Sequence, residues 1–462
     1  MASERRGAAG ILAVIAVVCL MDGLDGSVVN VALPTLAEGF GTDTGTIAWI
    51  TVVYFLMMAG LLMLFARVAN NGAVRKVAVA GVAVFTVGSL LCGISPNFET
   101  LLAARGMQGV GAAMMGAAAP MMCVRHLPRN MLGLGMGVLT LGCSVGFAVG
   151  PAVGGLIIDA LSWHWVFLIN VPVGLLMVPM ILALIPKDET YGKKPLDAKG
   201  AILLFAAIAA GSFALERMPH GSERMWVLLA AAACVICLAA FVAVELRHRE
   251  PLLNVRVFRH LKFDSLFLAF MCLNIAYMGL LYLLPFYLEV CMGFRSAESG
   301  MYLFIPPAIT LLICMPISRW SDRRGRRVFA GVACASMLAS AVAMFLFSRD
   351  GALLPLLFTL SCMGLTWGFA GGPMASRIVE NTAEESPEIG SSLMNESIYL
   401  GGTMGIALFA MVFTVGANNG VVDFRDLTPD VFLDGFVLSA AICAAIAAVS
   451  LLLSLAVKDV RA

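Results

Sequence analysis

The sequence contains little charge. Charged residues make up 13% of its 462 residues and hydrophobic residues 60%, whereas a soluble globular protein has about 25% charged residues. A water-soluble fold of this composition would expose large apolar areas, which aggregate. The composition therefore excludes a soluble enzyme. It also excludes intrinsic disorder, which requires low hydrophobicity and high net charge.

The sequence also lacks an excess of charge of either sign. The 30 basic and 29 acidic residues give a net charge of +1, which is too weak a field to hold a nucleic acid. There is no G-x-x-x-x-G-K-[ST] phosphate-binding motif, and the five histidines form no H-x-x-x-H pair. Cys234 and Cys237 have C-x-x-C spacing inside an apolar run, and we interpret them as small packing residues. We expect no enzymatic activity, metal, cofactor or nucleic-acid partner.

Long apolar runs dominate instead, and each is long enough to cross a membrane. A bilayer core of about 30 Å needs about 20 apolar residues in a helix. The alternating pattern of barrel strands is absent, so the spans are helices. The sequence predicts an all-α polytopic membrane protein with fourteen transmembrane helices. Their limits are 10–33, 46–66, 75–94, 98–123, 131–158, 164–186, 199–216, 225–246, 264–290, 298–318, 328–348, 352–374, 391–416 and 433–457.

The basic residues orient these spans, because lysine and arginine are enriched in cytoplasmic loops. With the N-terminus inside, 24 of the 30 basic residues are cytoplasmic, five are extracellular, and Arg105 lies within a span. An odd number of spans would collapse this asymmetry. We expect both termini in the cytoplasm and a multi-pass protein of the cell (inner or plasma) membrane.

Two loops indicate an internal duplication. Residues 66–77 follow the second span, and the similar residues 318–328 follow the tenth. Each loop would then follow the second helix of a six-helix block. The sequence predicts two pseudo-symmetric six-helix bundles, residues 1–186 and 263–462. Residues 187–262 would form an inserted two-helix hairpin with cytoplasmic linkers.

Five motifs lie at fixed places in the order of spans. They are L-D-G-S-V-V-N-V-A-L-P at 24–34, R-G-M-Q-G-V-G-A-A at 105–113, G-F-A-V-G-P-A-V-G-G at 146–155, W-H-W-V-F-L-I-N-V-P-V-G at 163–174 and D-R-R-G-R-R at 322–327. Together they resemble the major facilitator superfamily, and within it the fourteen-helix branch of drug:proton antiporters.

The resemblance implies a secondary transporter that works by alternating access and is driven by a proton gradient. It assigns proton coupling to Asp25 and Arg105, and it associates the span 5 glycine pattern with exporters, where we expect a seal between the halves. Asn70 stands where the family has aspartate, which predicts a weaker cytoplasmic latch in the first half. The gating residues would be Asn70, Asp322, Arg323, Gly325, Arg326, Gly146, Gly150, Pro151, Gly154 and Gly155.

The residues themselves point the same way. An ionisable side chain in mid-membrane costs about 2.5–3.5 kcal/mol on insertion scales, so its presence needs a reason. Asp22 and Asp25 are three apart and share one face of span 1, and two close carboxylates in a low dielectric do not both ionise easily. Proton coupling or cation binding would use such a pair, and Arg105 would work with it. The alternative is a purely structural role for all three in a closed core.

Other polar and aromatic residues within the spans could line a substrate site, although each alone is more often a packing or interface residue. The predicted substrate-binding residues are Gln108, Asn30, Tyr54, Asn274, Tyr277, Glu289, Trp367, Asn395 and Glu396.

The favoured function is a proton-coupled antiporter that exports amphipathic small molecules, cations among them. The alternative is a proton symporter or facilitator that imports a small metabolite on the same scaffold. In either case the partners are the small-molecule substrate, protons and the lipid bilayer, and we expect a monomer.

Overall fold

A computed structural model describes residues 2–128, 131–188, 197–219, 224–248, 261–324, 326–382, 387–417 and 424–457. These residues are almost entirely helical and include no β-strand. Among them are fourteen long helices, α1 to α14 in chain order. Their bounds are Ala2–Phe40, Trp49–Val68, Val74–Gly93, Phe98–His126, Leu132–Ala160, Asn170–Leu184, Ala198–Arg217, Arg224–Arg247, Leu261–Phe286, Ile305–Arg324, Arg326–Phe347, Leu353–Ala370, Pro387–Gly416 and Pro429–Ala456.

Thirteen stretches of the described chain are long and apolar enough to cross a membrane. One of them, Thr44–Gly93, is 50 residues long and contains both α2 and α3. These two helices are separated at Gly72, whose φ of 102° is a conformation that glycine adopts without strain. Each of the fourteen predicted spans thus has a long helix, while the number of membrane crossings stays a prediction.

The hairpin of α7 and α8 lies against both predicted bundles. Helix α7 packs on α2 of the first bundle and on α13 of the second. On the α2 side, Gly60 faces the ring of Phe205. Helix α8 contacts chiefly α7, and only 6% of the residues in its most apolar stretch are buried. Such an apolar and exposed surface suits contact with lipid. The division of the chain into bundles and hairpin stays a prediction.

Helix α1 occupies the centre of the first bundle and positions the acidic residues. It packs against α4, α5 and α6, and it also reaches α9 of the second bundle. Its closest neighbour is α5, because glycines on α5 let the two backbones approach. Asp22 and Asp25 are thereby held among helices of the first bundle and close to the second.

Several polar contacts between the two predicted bundles lie at the end where α1 finishes, which is the predicted extracellular end. The Arg425 guanidinium donates to the Glu38 carbonyl at 2.8 Å, and the Tyr282 hydroxyl donates to the Thr44 carbonyl. The hydroxyls of Thr35 and Ser296 are 3.5 Å apart. These bonds hold the halves together at that end in this conformation.

Candidate functional site

Asp25 lies at the centre of a buried polar network. Its carboxylate accepts from Arg105 Nη1 at 2.7 Å, from Gln108 Nε2 at 2.7 Å and from Asn170 Nδ2 at 3.1 Å. Asp25, Arg105 and Gln108 are at most 1% exposed, and Asn170 is 3% exposed. Burying a charge is costly unless it is paired and hydrogen-bonded. Here three donors, one of them the oppositely charged Arg105, reach the carboxylate, so the buried group is both paired and hydrogen-bonded.

Arg105 is bound on several sides. Its Nε donates to the Ile50 carbonyl at 3.1 Å, and its Nη1 donates to Gln108 Oε1 at 2.7 Å. Its Cζ lies 4.3 Å from the ring centroid of Tyr54, which adds a cation–π contact. Arg105 and Gln108 are three residues apart and share one face of α4. The guanidinium therefore joins α1, α2 and α4 at one point.

Asp22 has different surroundings from Asp25. It is half-buried, and its carboxylate accepts a hydrogen bond from the Tyr54 hydroxyl at 3.1 Å. The ring of the same Tyr54 makes the cation–π contact with Arg105. The sequence predicted that the two aspartates share a face. Both do contact the pair formed by Tyr54 and Arg105: Asp22 binds Tyr54, and Asp25 binds Arg105. They do so through separate partners and not as one carboxylate pair.

Three residues of this site escaped the sequence analysis. Asn170 lies inside a motif that was recognised, but nothing in the sequence places it beside Asp25. Ser89 on α3 accepts from Gln108 Nε2 at 2.8 Å. Tyr399 lies on α13, and its ring centroid is 6.4 Å from that of Phe55, the neighbour of Tyr54 on α2. No local pattern marks these three residues, because each depends on which helices pack together.

The second predicted bundle contributes a buried acid that has no hydrogen-bond partner among the described residues. Glu396 is 1% exposed, and neither carboxylate oxygen has a hydrogen-bond partner among the described residues. Asn30 and Asn274 are also buried with a side-chain oxygen unpaired in the described part of the chain. Such groups are rare in proteins, and each calls for an explanation such as a missing water, ion or ligand. A hydrogen-bond donor, such as a water molecule or a bound ligand, would satisfy these oxygens.

The other predicted substrate residues are spread over the second bundle. Tyr277 and Trp367 meet edge to face, with ring centroids 5.8 Å apart. Glu289 lies at the far end of the span and accepts from the Ser296 hydroxyl at 3.0 Å, away from Asp25. Asn395 falls on α13, but its side chain lies outside the described residues. The structure therefore groups Tyr54 and Gln108 with Asp25 and places Glu289 elsewhere.

The loop between α2 and α3, which is predicted to be cytoplasmic, is tied to its own predicted half. Arg125 Nη2 donates to both the carbonyl and the side-chain oxygen of Asn70, each at 3.0 Å. Asp188, four residues after α6, accepts from the backbone amides of Arg75 and Lys76 at 2.7 and 3.0 Å. A carboxylate at a helix N-terminus satisfies orphan amides and favours the helix dipole. The Asp188 carboxylate thus caps the N-terminus of α3.

The loop between α10 and α11, which is also predicted to be cytoplasmic, is described only in part. Arg323 is exposed and Arg326 is half-buried. The side chain of Asp322 and the whole of Gly325 lie outside the described residues. The predicted gating role of this loop stays a prediction.

The span 5 glycines contact mainly α1 of their own half, which differs from the predicted seal between halves. A Cβ on Gly146 would lie 2.7 Å from the Leu24 nitrogen, and one on Gly154 would lie 2.7 Å from Val28 Cγ2. Gly150 faces Ser27 in the same way. They repeat every four residues, which places all three on the α1-facing side of the helix.

Only the far end of this motif reaches the other half. Gly155 faces the carbonyl of Ser296, and the carbonyl of Pro151 faces Gly300. Within this motif, contact with the other half therefore depends on Gly155 and Pro151, while the other three glycines position the helix that carries the two aspartates.

Comparison with known proteins agrees with this architecture. The sequence is 29% identical over 412 residues to the multidrug resistance protein B homolog of Mycobacterium tuberculosis, covering 87% of this chain and 76% of that protein. It is 27% identical over 406 residues to the riboflavin transporter RibZ of Clostridioides difficile, covering 87% and 88%. The fold matches an inward-facing bacterial homolog of the human lysosomal transporter Spinster, with a TM-score of 0.67, 14% identity and 97% of each chain covered. The family profile described as Major Facilitator Superfamily matches residues 15–406. The chain therefore belongs to the Major Facilitator Superfamily of membrane transporters.

Proposed function

We propose that this transporter is a proton-coupled antiporter that exports amphipathic small molecules, cations among them, by alternating access. The observation that carries the proposal is the connected group of Asp22, Tyr54, Arg105 and Asp25. It links a half-buried acid, through one aromatic ring, to a buried ion pair. A protein with no transport to drive has little reason to maintain such a group inside a membrane.

The two aspartates would have different tasks. Asp25 is fully buried and already neutralised by Arg105 and two amide donors, so adding a proton would break the ion pair. Asp22 is half-buried and accepts one hydrogen bond from a neutral hydroxyl. We infer that Asp22 takes up the proton first. Loss of its charge would weaken its bond to Tyr54 and so alter the support of Arg105.

The test uses purified protein in proteoliposomes with an imposed proton gradient. Asp22→Asn should fold normally and lose gradient-driven substrate flux by at least tenfold, and Asp25→Asn should lose flux together with thermal stability. The matched control is Glu99→Gln, an acid-to-amide change at an exposed position of α4, which should transport normally. Gradient-driven flux at the wild-type rate in both aspartate variants would refute proton coupling through this group.

Import is the second candidate function, either by proton symport or by facilitated diffusion. One observation supports a metabolite as the substrate, namely the similarity to a relative named as a riboflavin transporter. The direction of flux separates the two functions. In inside-out vesicles acidified within, an exporter coupled to proton entry accumulates substrate, whereas an importer releases it.

The same proposal includes the arrangement in the cell membrane. It adds fourteen membrane crossings, both termini in the cytoplasm and a monomeric transporter. It includes no cofactor, because the proton gradient would drive transport. A cleavable tag placed in turn at each terminus tests the orientation, because only an external tag is cut in intact cells.

A further inference from the structure

Two carboxylates meet at the end of the hairpin where α7 begins and α8 finishes, which is its predicted cytoplasmic end. Asp197 caps α7, because its Oδ1 accepts from the Gly200 amide at 2.9 Å. Glu245 lies near the end of α8. A Cβ added to Gly200 would lie 2.6 Å from Glu245 Oε1 and 2.8 Å from Asp197 Oδ2. The glycine therefore lets an oxygen of each acid approach the same point.

Both acids are buried, and one of these two oxygens lacks a donor. Asp197 is 4% exposed and Glu245 is 2% exposed. Asp197 Oδ2 has no hydrogen-bond partner in the described part of the chain, while Glu245 makes further interactions of its own. Neighbouring carboxylates in a low dielectric repel each other, and a buried polar atom without a partner calls for a water, an ion or a ligand. A positive group beside Asp197 Oδ2 would offset both costs.

We propose that Asp197 and Glu245 bind one hard divalent cation, with Mg²⁺ as the ion that occupies the site. Carboxylate oxygens are the ligands that Mg²⁺ and Ca²⁺ prefer over softer ones. Mg²⁺ binds oxygen at about 2.0–2.1 Å and Ca²⁺ at about 2.3–2.6 Å. The distances measured from Gly200 show that one point can lie close to both oxygens, so small side-chain movements bring both to a shared ion.

The surroundings of the pair favour Mg²⁺ and give it access. The described residues contain no group of three or more metal-binding side chains, so water would complete the coordination, as is usual for Mg²⁺ held by one or two carboxylates. Ala198 and Lys199, next to Asp197, are exposed, which leaves the ion a short path from solvent. No spacing in the sequence indicates this pair, because the two acids meet only through the packing of α7 on α8.

A bound ion would fasten the hairpin at one end. Helix α7 packs on α2 of the first predicted bundle and on α13 of the second, so the ion would fix the base of a helix that contacts both. Ion binding at this place does not depend on the direction or the coupling of transport. The proposed function and the metal site can therefore fail separately, and the experiment measures binding and thermal stability without transport.

The full chain is purified in detergent, stripped with a chelator and titrated with Mn²⁺, a paramagnetic substitute for Mg²⁺. Electron paramagnetic resonance of the free ion should show one bound Mn²⁺ per chain that Mg²⁺ displaces, and Mg²⁺ should raise the thermal midpoint. Asp197→Asn keeps a good N-cap and removes the charge. In this variant and in Glu245→Gln, Mn²⁺ affinity should fall at least tenfold, and Mg²⁺ should no longer raise the midpoint.

The matched control is Asp430→Asn, which alters an exposed acid in the first turn of α14 and should bind Mn²⁺ like the wild type. Equal Mn²⁺ affinity in wild type and Asp197→Asn would overturn the assignment. So would wild-type protein that binds no Mn²⁺ at millimolar concentration, and a higher midpoint in Asp197→Asn would then indicate a proton between the acids.

A measurement on the wild type decides if both variants fail to fold. Fe²⁺ with ascorbate and peroxide cleaves the backbone next to a bound iron ion. Cuts should fall beside residues 197–200 and beside Glu245, and added Mg²⁺ should suppress them. Cuts confined to other places, or cuts that Mg²⁺ leaves unchanged, would overturn the assignment.

Discussion

Asp22 and Asp25 are less than one helical turn apart on α1, and yet Arg105 pairs with only one of them. Asp25 accepts Arg105 Nη1 at 2.7 Å, while Asp22 meets the guanidinium only through the ring and hydroxyl of Tyr54. One acid is thus locked into an ion pair and the other remains available. This asymmetry explains how two nearby carboxylates can coexist in a membrane interior.

Breaking the ion pair should cost stability as well as function. Asp25→Asn leaves Arg105 as a buried charge without its counter-ion, and removal of one partner of a buried pair costs about 3–5 kcal/mol. We expect a clear fall in the thermal midpoint in detergent. The double variant Asp25→Asn with Arg105→Gln removes both charges and should regain much of that midpoint. Transport should stay absent in both, and a double variant less stable than Asp25→Asn would contradict this account.

Tyr54 should have two separable roles. Tyr54→Phe keeps the ring over Arg105 but removes the hydroxyl that donates to Asp22, whereas Tyr54→Leu removes both contacts. We expect Tyr54→Phe to fold normally with a changed pH profile of transport, and Tyr54→Leu to lose stability too. A cation–π contact that is shielded from water contributes about 2 kcal/mol. Thermal midpoints and flux between pH 5.5 and 8.5 check this, and identical profiles for Tyr54→Phe and wild type would refute the link to Asp22.

The sequence was informative wherever function depended on spacing within one helix. Gln108 follows Arg105 by three residues, so a shared helix face could be predicted, and both side chains do bind Asp25. The fourteen helices could be predicted because apolar length is a direct requirement of the bilayer. The resemblance to a family then predicted the partnership of Asp25 with Arg105.

The sequence was uninformative wherever function depended on which helices meet. Asn170 binds Asp25 across 145 positions of sequence, and no local pattern encodes that contact. The span 5 glycines were visible as a motif, but whether they face α1 or the other half is decided by the rotation of α5. The different partners of Asp22 and Asp25 likewise follow from where α2 places Tyr54.

The packing of α5 on α1 should tolerate no added methyl group. Gly146→Ala would set a Cβ 2.7 Å from the Leu24 nitrogen, and backbone atoms cannot move aside as a side chain can. Such overpacking costs about 1–3 kcal/mol. The control Gly137→Ala is on the same helix with no atom within 4 Å of its Cβ, and there alanine stabilises a helix by up to about 1 kcal/mol. Thermal midpoints should therefore move in opposite directions.

Glu396 should be the acid whose neutralisation costs no stability. It is buried without a hydrogen-bond partner in the described chain, and an ionised carboxylate in that setting would be strongly unfavourable. We therefore expect Glu396→Gln to match or exceed the wild-type thermal midpoint, and we expect the wild-type acid to carry a proton. If a cationic substrate displaces that proton, the variant should export cations at least tenfold more slowly while neutral amphiphiles pass unchanged. Glu396→Asp keeps the charge and should retain part of the cation flux. Equal loss of cationic and neutral substrates in Glu396→Gln would mean that Glu396 acts on the transport cycle and does not recognise the charge of the substrate.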